Sequence, residues 1–254
     1  MRYRFLVPMF IVAVLVLTGV LGCVQKQEMV LVVGTSADFP PFEYKDPQTG
    51  EIVGFDIELI KLIAEKIGYD KVEIKDMDFD SLTPALDAGQ IDVAIAGITI
   101  TDKRKQQVDF SIPYWSADQA AVIRKGSGIT INDVKDLYGL NIGVQTGTTG
   151  AIYVEEHVGE NATIKEYPTY IEALQALITG QIDAIVVDTP VAQRFTQQYD
   201  VEIAHVFETG EQYGIAVKKG NTDLLNKIND ALQQIMNSED WNKLIEKYFG
   251  SSSS

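Results

Sequence analysis

Gly97-Ile98-Thr99-Ile100-Thr101-Asp102-Lys103-Arg104 sets a hydroxyl and a guanidinium five residues apart, directly after an apolar run. A guanidinium is a planar fork that matches a carboxylate bidentately and stays charged at any working pH. Thr99 and the backbone around it would supply further partners for a small ligand. The same stretch has a plain structural use: Thr101-Asp102 is a good helix N-cap, and Arg104 would then be a solvated cation. Gly143-Val144-Gln145-Thr146-Gly147-Thr148-Thr149-Gly150 is a second site of this kind. A strand, a Gly turn and a helix opening leave unpaired N–H groups near Thr148 and Thr149, which suits an anion. No Lys-Ser/Thr pair follows the glycines, so this is not a P-loop, and a carboxylate fits better than a triphosphate. An ordinary capped turn would read the same way. Asp188, at the end of another apolar run, would accept hydrogen bonds from an ammonium group, although Asp188-Thr189-Pro190 is equally a helix start. Two aromatics complete the set: Phe39 inside Ser36-Ala-Asp-Phe-Pro-Pro-Phe42, and Phe79 inside Met77-Asp-Phe-Asp80. Such phenylalanines are either core edge or the wall of a pocket, and a pair can sandwich an aliphatic stem or a guanidinium. Trp115 is a weaker candidate for the same wall.

A repeated phrase indicates how these groups are positioned. Residues 85–97 (ALDAGQIDVAIAG) align without a gap on residues 176–188 (ALITGQIDAIVVD). Each copy reads as a helix end, a Gly stop (Gly89, Gly180) and a buried parallel strand. The copies lie too far apart for a solenoid, whose period is roughly 20–50 residues. They fit one corresponding unit in each of two α/β lobes. Ligands collect at the carboxyl ends of parallel strands, here Ala96-Gly97-Ile98-Thr99 and Val187-Asp188-Thr189, and two facing ends would frame a cleft. Ordinary helix-to-strand punctuation is the plainer alternative. Hydrophobic spacing predicts strands at 29–34, 72–75, 91–96, 141–144, 163–166, 182–187 and 212–217. It predicts helices at 55–67, from a Ser81 cap to 87, a short one within 129–138, and others at 148–156, 170–178, 190–199, 222–236 and 240–249. Residues 114–122 carry no helical or turn signal and suit a crossing between lobes. Alternating strands and helices give an α/β fold with mostly parallel sheets flanked by helices.

The first 22 residues are set aside as a signal peptide: Arg2 and Arg4, an apolar stretch from 5 to 20, then Leu21-Gly22-Cys23. Cys23 follows the small residue as in a lipoprotein box, though Val20 and Leu21 depart from the usual pattern; an uncleaved membrane anchor is the alternative. Either way the rest lies outside the cytoplasm, and a diacylated Cys23 would be a stable tether. About 230 residues remain, enough for one large or two small domains. The formal charge of −15 argues against nucleic acid and against polybasic membrane docking. With one cysteine in the chain, disulfides and thiolate metal sites are excluded. His157 and His205 lack partners at metal spacing, and no nucleophile elbow is present. No metal, no cofactor and no catalytic residue is expected, and the acidic run at 76–80 reads as solvated.

At these residues the chain resembles the polar amino-acid solute-binding proteins of ABC transporters, which share a two-lobed periplasmic-binding-protein fold with a two-strand hinge. The motifs, in order, are Gly34-Thr35-Ser36-Ala37-Asp38-Phe39-Pro40-Pro41-Phe42-Glu43, Gly54-Phe55-Asp56, Met77-Asp78-Phe79, the stretch from Ala96 to Arg104, and Gly147-Thr148-Thr149. By resemblance, Arg104, Thr99 and the amides of Thr148 and Thr149 hold a ligand carboxylate. Gly97, Thr99 and Asp188 hold its ammonium, while Ser36, Phe39, Phe79 and Gln145 line the side-chain pocket. The resemblance implies lobe one at 29–115 and 210–250 and lobe two at 116–209; the polar residues after Cys23 read as a lipidated linker at 23–28 and the terminal serines as a disordered tail at 251–254. It implies a monomeric extracytoplasmic receptor, tethered to the outer face of the membrane through Cys23, that delivers one free amino acid to an ABC permease. The Ser-Ala-Asp-Phe-Pro-Pro-Phe and Val-Gln-Thr-Gly-Thr-Thr-Gly motifs look most like the arginine or basic amino-acid branch, with lysine also open. Glutamine is the second reading, because Ser36 and Gln145 suit an amide equally well. Some members carry an acid where Ser36 stands; here Asp38 is the only carboxylate nearby. A prephenate- or arogenate-type dehydratase on the same fold is the enzymatic alternative, with Glu43, Asp38 or Asp188 as its acid.

Overall fold

Residues 28–250 are described by the computed structural model, and their apolar runs become the strands of two five-stranded sheets. The signal segment, Cys23 and the 251–254 tail lie outside the described residues. Along the chain come β1 (Val30–Thr35), a small meander of β2 (Asp38–Phe39), β3 (Glu43–Lys45) and β4 (Ile52–Val53), then α1 (Phe55–Lys66) and β5 (Lys71–Asp76). Next are α2 (Leu82–Asp87), β6 (Val93–Ala94), α3 (Asp102–Lys105) and β7 (Val108–Phe110). The chain crosses over in β8 (Trp115–Arg124), followed by β9 (Asn141–Gln145), α4 (Thr149–His157), β10 (Thr163–Tyr167), α5 (Tyr170–Ile178), β11 (Ala184–Asp188) and α6 (Thr189–Gln198). It returns along β12 (Val201–Tyr213) into β13 (Ala216–Lys218), and closes with α7 (Thr222–Met236) and α8 (Glu239–Phe249).

The two sheets have the same plan. The first runs β5-β1-β6-β13-β7 and the second β10-β9-β11-β8-β12. In each, three parallel strands are extended by two more through two successive antiparallel pairings, so that one strand runs against the other four. The repeated phrase sits at the same place in both, and every residue of its Gly-Gln-Ile-Asp core makes the same contact twice. Gly89 and Gly180 adopt positive φ (68° and 77°) and close their helices with matching bonds. Gln90 N–H reaches Ala85 O and Gln181 N–H reaches Ala176 O, both at 2.9 Å. This is a Schellman closure, which satisfies end carbonyls and favours Gly because no Cβ opposes positive φ. The carbonyls of Gln90 and Gln181 accept Lys75 Nζ (3.0 Å) and Lys165 Nζ (2.9 Å). Ile91 and Ile182 press on Gly34 and Gly143, where an added Cβ would lie 2.4 and 2.5 Å from the Ile Cδ1. Asp92 and Asp183 accept the N–H of Val32 (2.9 Å) and Asn141 (2.8 Å) at the start of the neighbouring strand. The repeat is thus a joint that sets a helix, a turn and two parallel strands in register.

Several expectations differ from the structure. The short helix within 129–138 is a single 3-10 turn, Val134–Leu137, where Asp133 and Asp136 form a capping box at its start and Gly139 follows it at positive φ. Ser81 stands at the start of α2 without capping it. The 91–96 run pairs as a strand only over Val93–Ala94. The 114–122 stretch is more than a plain crossing: it enters β8, an interior strand of the second sheet, and the predicted return strand at 212–217 is the end of the 13-residue β12 plus β13. The alternation of β12 is masked in the sequence because it is an edge strand with exposed polar positions and two register shifts. Trp115 stacks on Phe249 with ring centroids 4.1 Å apart, and Phe42 and Phe55 join them. This cluster fastens α8 to α1 and the crossing, each buried ring contributing about 1.5–3 kcal/mol. Trp115 therefore belongs to the core and not to a ligand wall.

Candidate functional site

The carboxyl ends of β6 and β11 face each other across the gap between the sheets. There the structure brings all ten candidate residues around one cavity: Ser36, Phe39, Phe79, Gly97, Thr99, Arg104, Gln145, Thr148, Thr149 and Asp188, joined by Asp38, Glu43 and Ala96. From the first lobe, Gly97 turns at φ 51°, and a Cβ there would lie 2.7 Å from the Phe39 ring, so only Gly fits. Its N–H donates to Asp56 Oδ2 at 2.9 Å. Thr101 does cap α3, accepting Arg104 N–H at 3.2 Å, yet the Arg104 side chain is not left in solvent. Its Nη1 donates to Thr99 O (2.8 Å), its Nη2 crosses to Gly147 O in the other lobe (3.0 Å), and its guanidinium carbon lies 5.2 Å from the Phe79 ring centroid. One face of Phe79 is therefore engaged by protein. Phe39 packs instead with Phe42, Tyr170 and Tyr213.

From the second lobe, Thr148 caps α4: its Oγ1 accepts Ala151 N–H at 3.2 Å and donates to Gln145 O at 2.8 Å. Asp188 holds the N-cap position of α6 but makes no capping bond. Its oxygens point into the cleft, where Gln119 Nε2 donates at 3.0 Å and the Tyr213 hydroxyl donates to the other oxygen. Burial and then the neighbouring Glu211 charge push Asp188 up to about 7, opposed by those two hydrogen bonds and by Arg104. Burial also lowers the Arg104 guanidinium from its ordinary value, with Glu211 and Asp188 acting in the opposite sense.

Asp38 points inward. It is 6% exposed, and it accepts Ser36 Oγ (3.0 Å), Gln145 Nε2 (3.0 Å) and the N–H of Tyr170 at the start of α5 (2.6 Å). Ser36 and Gln145, expected as neutral pocket partners, are thus both tied to a carboxylate. Burial pushes Asp38 up to about 6, although its three hydrogen bonds oppose the shift. Two of those bonds join the lobes, as does the contact of Thr99 with Thr149 at 3.3 Å.

Sequence reasoning did not single out Glu211, Gln119 or Tyr213. Glu211 Oε2 accepts Thr99 Oγ1 (2.7 Å) and Thr149 Oγ1 (2.6 Å), and its Oε1 accepts Gln119 Nε2 (3.0 Å). A register shift between Phe207 and Glu211 in β12 is pinned by Asp118 Oδ1, which accepts the Thr209 and Gly210 amides. Gln119 left a signal, a polar residue inside the apolar run of β8; the other two left none, since their roles depend on that shift. The free space inside the cavity is about 10 Å³, roughly one water molecule. A wider groove outside it carries Glu211 and shares Phe79, Thr99, Arg104 and Thr149. Any larger ligand must enter while the lobes are apart. Chemically the cleft offers one fixed cation, several hydroxyl donors and an excess of acids. Among the described residues no group of three or more His, Cys, Asp or Glu is arranged to hold a metal ion, and no helix is long and apolar enough to cross a membrane.

Residues 31–251 match the sequence profile of the bacterial extracellular solute-binding proteins, family 3. The arginine-binding extracellular protein ArtP of Bacillus subtilis (strain 168) is 37% identical over 232 residues, covering 86% of this chain and 86% of that protein. The solved structure of an ancestral arginine-binding protein bound to arginine is 47% identical, with a TM-score of 0.83, and covers 87% of this chain and 98% of that one. An ancestral arginine-binding protein bound to glutamine is 46% identical, again with a TM-score of 0.83, covering 89% and 100%.

Proposed function

The chain belongs to the bacterial extracellular solute-binding proteins, family 3, and from that premise we propose that it captures free L-arginine and delivers it to the permease of an ABC importer. The observation that carries the choice of ligand is the inward Asp38. A neutral amino acid needs one cation for its carboxylate and one anion for its ammonium, and Arg104 and Asp188 answer those needs. Asp38 is a further buried acid beside Ser36 and Gln145, so the cleft suits a ligand with one more positive charge.

In this reading Arg104, Thr99 and the amides of Thr148 and Thr149 hold the carboxylate. Gly97, Thr99 and Asp188 hold the ammonium. Asp38, Ser36 and Gln145 take the guanidinium, with Phe39 and the open face of Phe79 along the stem. Lobe one comprises 29–115 and 210–250, lobe two 116–209. The ligand stabilises the closed state because it touches both lobes at once. Cys23 tethers a monomer to the outer face of the membrane. Glutamine is the second reading, favoured by the glutamine-bound relative and by the amide-compatible Ser36 and Gln145.

Calorimetry over arginine, lysine, histidine and glutamine tests the choice. Arginine should bind tightest, and at a thousand times its dissociation constant it should add about 4 kcal/mol of apparent stability. Tighter binding of glutamine would replace arginine with the second reading, and a flat response to all four would overturn both.

A further inference from the structure

Glu43 and Asp56 stand outside the roles assigned above. Both are fully buried. Neither Glu43 oxygen meets a donor among the described residues, and neither does Asp56 Oδ1. The two carboxyl groups instead lie beside each other in the same buried space, near enough to interact. The backbone dictates this meeting. Phe55 and Asp56 N–H donate to the carbonyls of Pro41 (3.0 Å) and Phe42 (2.9 Å). Gly54, at φ 139°, lets the chains approach so closely that a Cβ would lie 2.0 Å from Phe42 O. The start of α1 is thereby clamped on β3, with residues 43 and 56 side by side. Asp56 Oδ2 accepts Gly97 N–H (2.9 Å) and the Tyr114 hydroxyl (2.7 Å), and Glu43 borders the cavity.

Two carboxylates in contact in a dry interior cannot both be ionised, and one proton between them supplies the donor that the unpaired oxygens lack. We propose that Glu43 keeps its proton at neutral pH and donates it to Asp56 Oδ1, and that this one-proton pair is a positioning device for ligand binding. The proton stays on the pair and is not passed to the ligand. Asp56 then carries a single negative charge served by three donors, from Glu43, Gly97 and Tyr114. The Gly97 turn at the mouth of the cleft and Tyr114 beside the crossing are held by the same carboxylate. The groups facing Glu43 are Asp56 on α1, Asp38 on β2, Asp188 at the end of β11 and Tyr114 ahead of β8. Burial and these acidic neighbours push Glu43 well above the ordinary carboxyl range.

The binding arm of the test rests on the arginine reading; the spectroscopic arm does not. Infrared spectra of the ligand-free protein at about pH 8.5, where ordinary carboxyls are ionised, should show the carbonyl stretch of a protonated carboxylic acid, absent in Glu43→Gln. Glu43→Gln keeps a donor to Asp56 and cannot ionise, whereas Glu43→Leu has no donor. Glu43→Gln should bind arginine within about twofold of the parent at neutral pH and keep that affinity at alkaline pH, where the parent should lose affinity as Glu43 ionises. Glu43→Leu should be weakened more than about tenfold across the range, since it leaves a buried acceptor unpaired. The absence of the protonated-acid band in the parent, or equal losses in Glu43→Gln and Glu43→Leu, would overturn the pair. If the band is present and no amino acid binds, the ligand reading fails and the shared proton stands.

Discussion

The two lobes share one joint and differ in the residues beyond it. At Gly89-Gln-Ile-Asp92 and Gly180-Gln-Ile-Asp183 the glycine conformation, the lysine on the Gln carbonyl, the Ile on a strand Gly and the Asp on a neighbouring N–H are all duplicated. Past the strand ends the likeness stops. The first lobe turns at Gly97 and reaches Arg104, a cation that crosses to Gly147 O. The second ends at Asp188, an acid held by Gln119 and Tyr213. The joint fixes where a strand ends, and it places no demand on the charge of the residues after it. A duplicated scaffold can therefore carry unlike groups to facing positions.

Breaking the comparison on its cationic side should have the largest effect. Arg104→Ala should weaken every amino-acid ligand by about 100-fold or more, since truncating one partner of a buried charge pair costs roughly 2–5 kcal/mol; calorimetry with arginine and glutamine reads both losses. Asp188→Asn should cost less, about 10- to 100-fold, because an amide still accepts from an ammonium. Asp38→Asn sharpens the picture by separating ligands: arginine should lose about tenfold more affinity than glutamine, a ratio read from paired titrations. An unchanged ratio would remove Asp38 from selectivity.

The acidic side also predicts a pH profile. Asp38 and Asp56 are pushed up to about 6 and Asp188 to about 7, in each case by burial first, against roughly 4 for a carboxyl in the unfolded chain. The folded state then holds more protons than the unfolded one between those values. These groups stabilise the ligand-free fold fully below about pH 4, and their contribution is lost as pH rises towards about 7. Melting temperature across that range should fall accordingly, and Asp188→Asn should flatten the upper part of the slope. The smallest effect tests the shared joint: Gly89→Ala and Gly180→Ala should each lower stability by about 1 kcal/mol, equally in both lobes, in thermal or denaturant melts.

Much of this was legible in the sequence because periodicity and glycine positions are local. Helices 170–178 and 222–236 emerge as read, and the two-lobed α/β plan follows from the order of elements and the repeat. The ten cleft residues were reached through motif resemblance together with strand-end logic. What stayed hidden depends on distant contacts. Asp38 could not be oriented from Ser-Ala-Asp-Phe, because its direction is set by Gln145 and the Tyr170 amide more than a hundred residues away. Glu211 reaches the cleft through a register shift in β12 that no propensity encodes. Glu43 and Asp56 look like ordinary acids in loop and helix-start sequences until the Gly54 approach brings them together.

The cavity that holds these groups keeps room for about one water molecule when the lobes meet. That tightness has a kinetic meaning. A ligand of amino-acid size cannot enter this closed form, so its arrival is bounded by how often Arg104 lets go of Gly147 and Asp38 lets go of the Tyr170 amide. Association should level off at high ligand concentration instead of rising without limit.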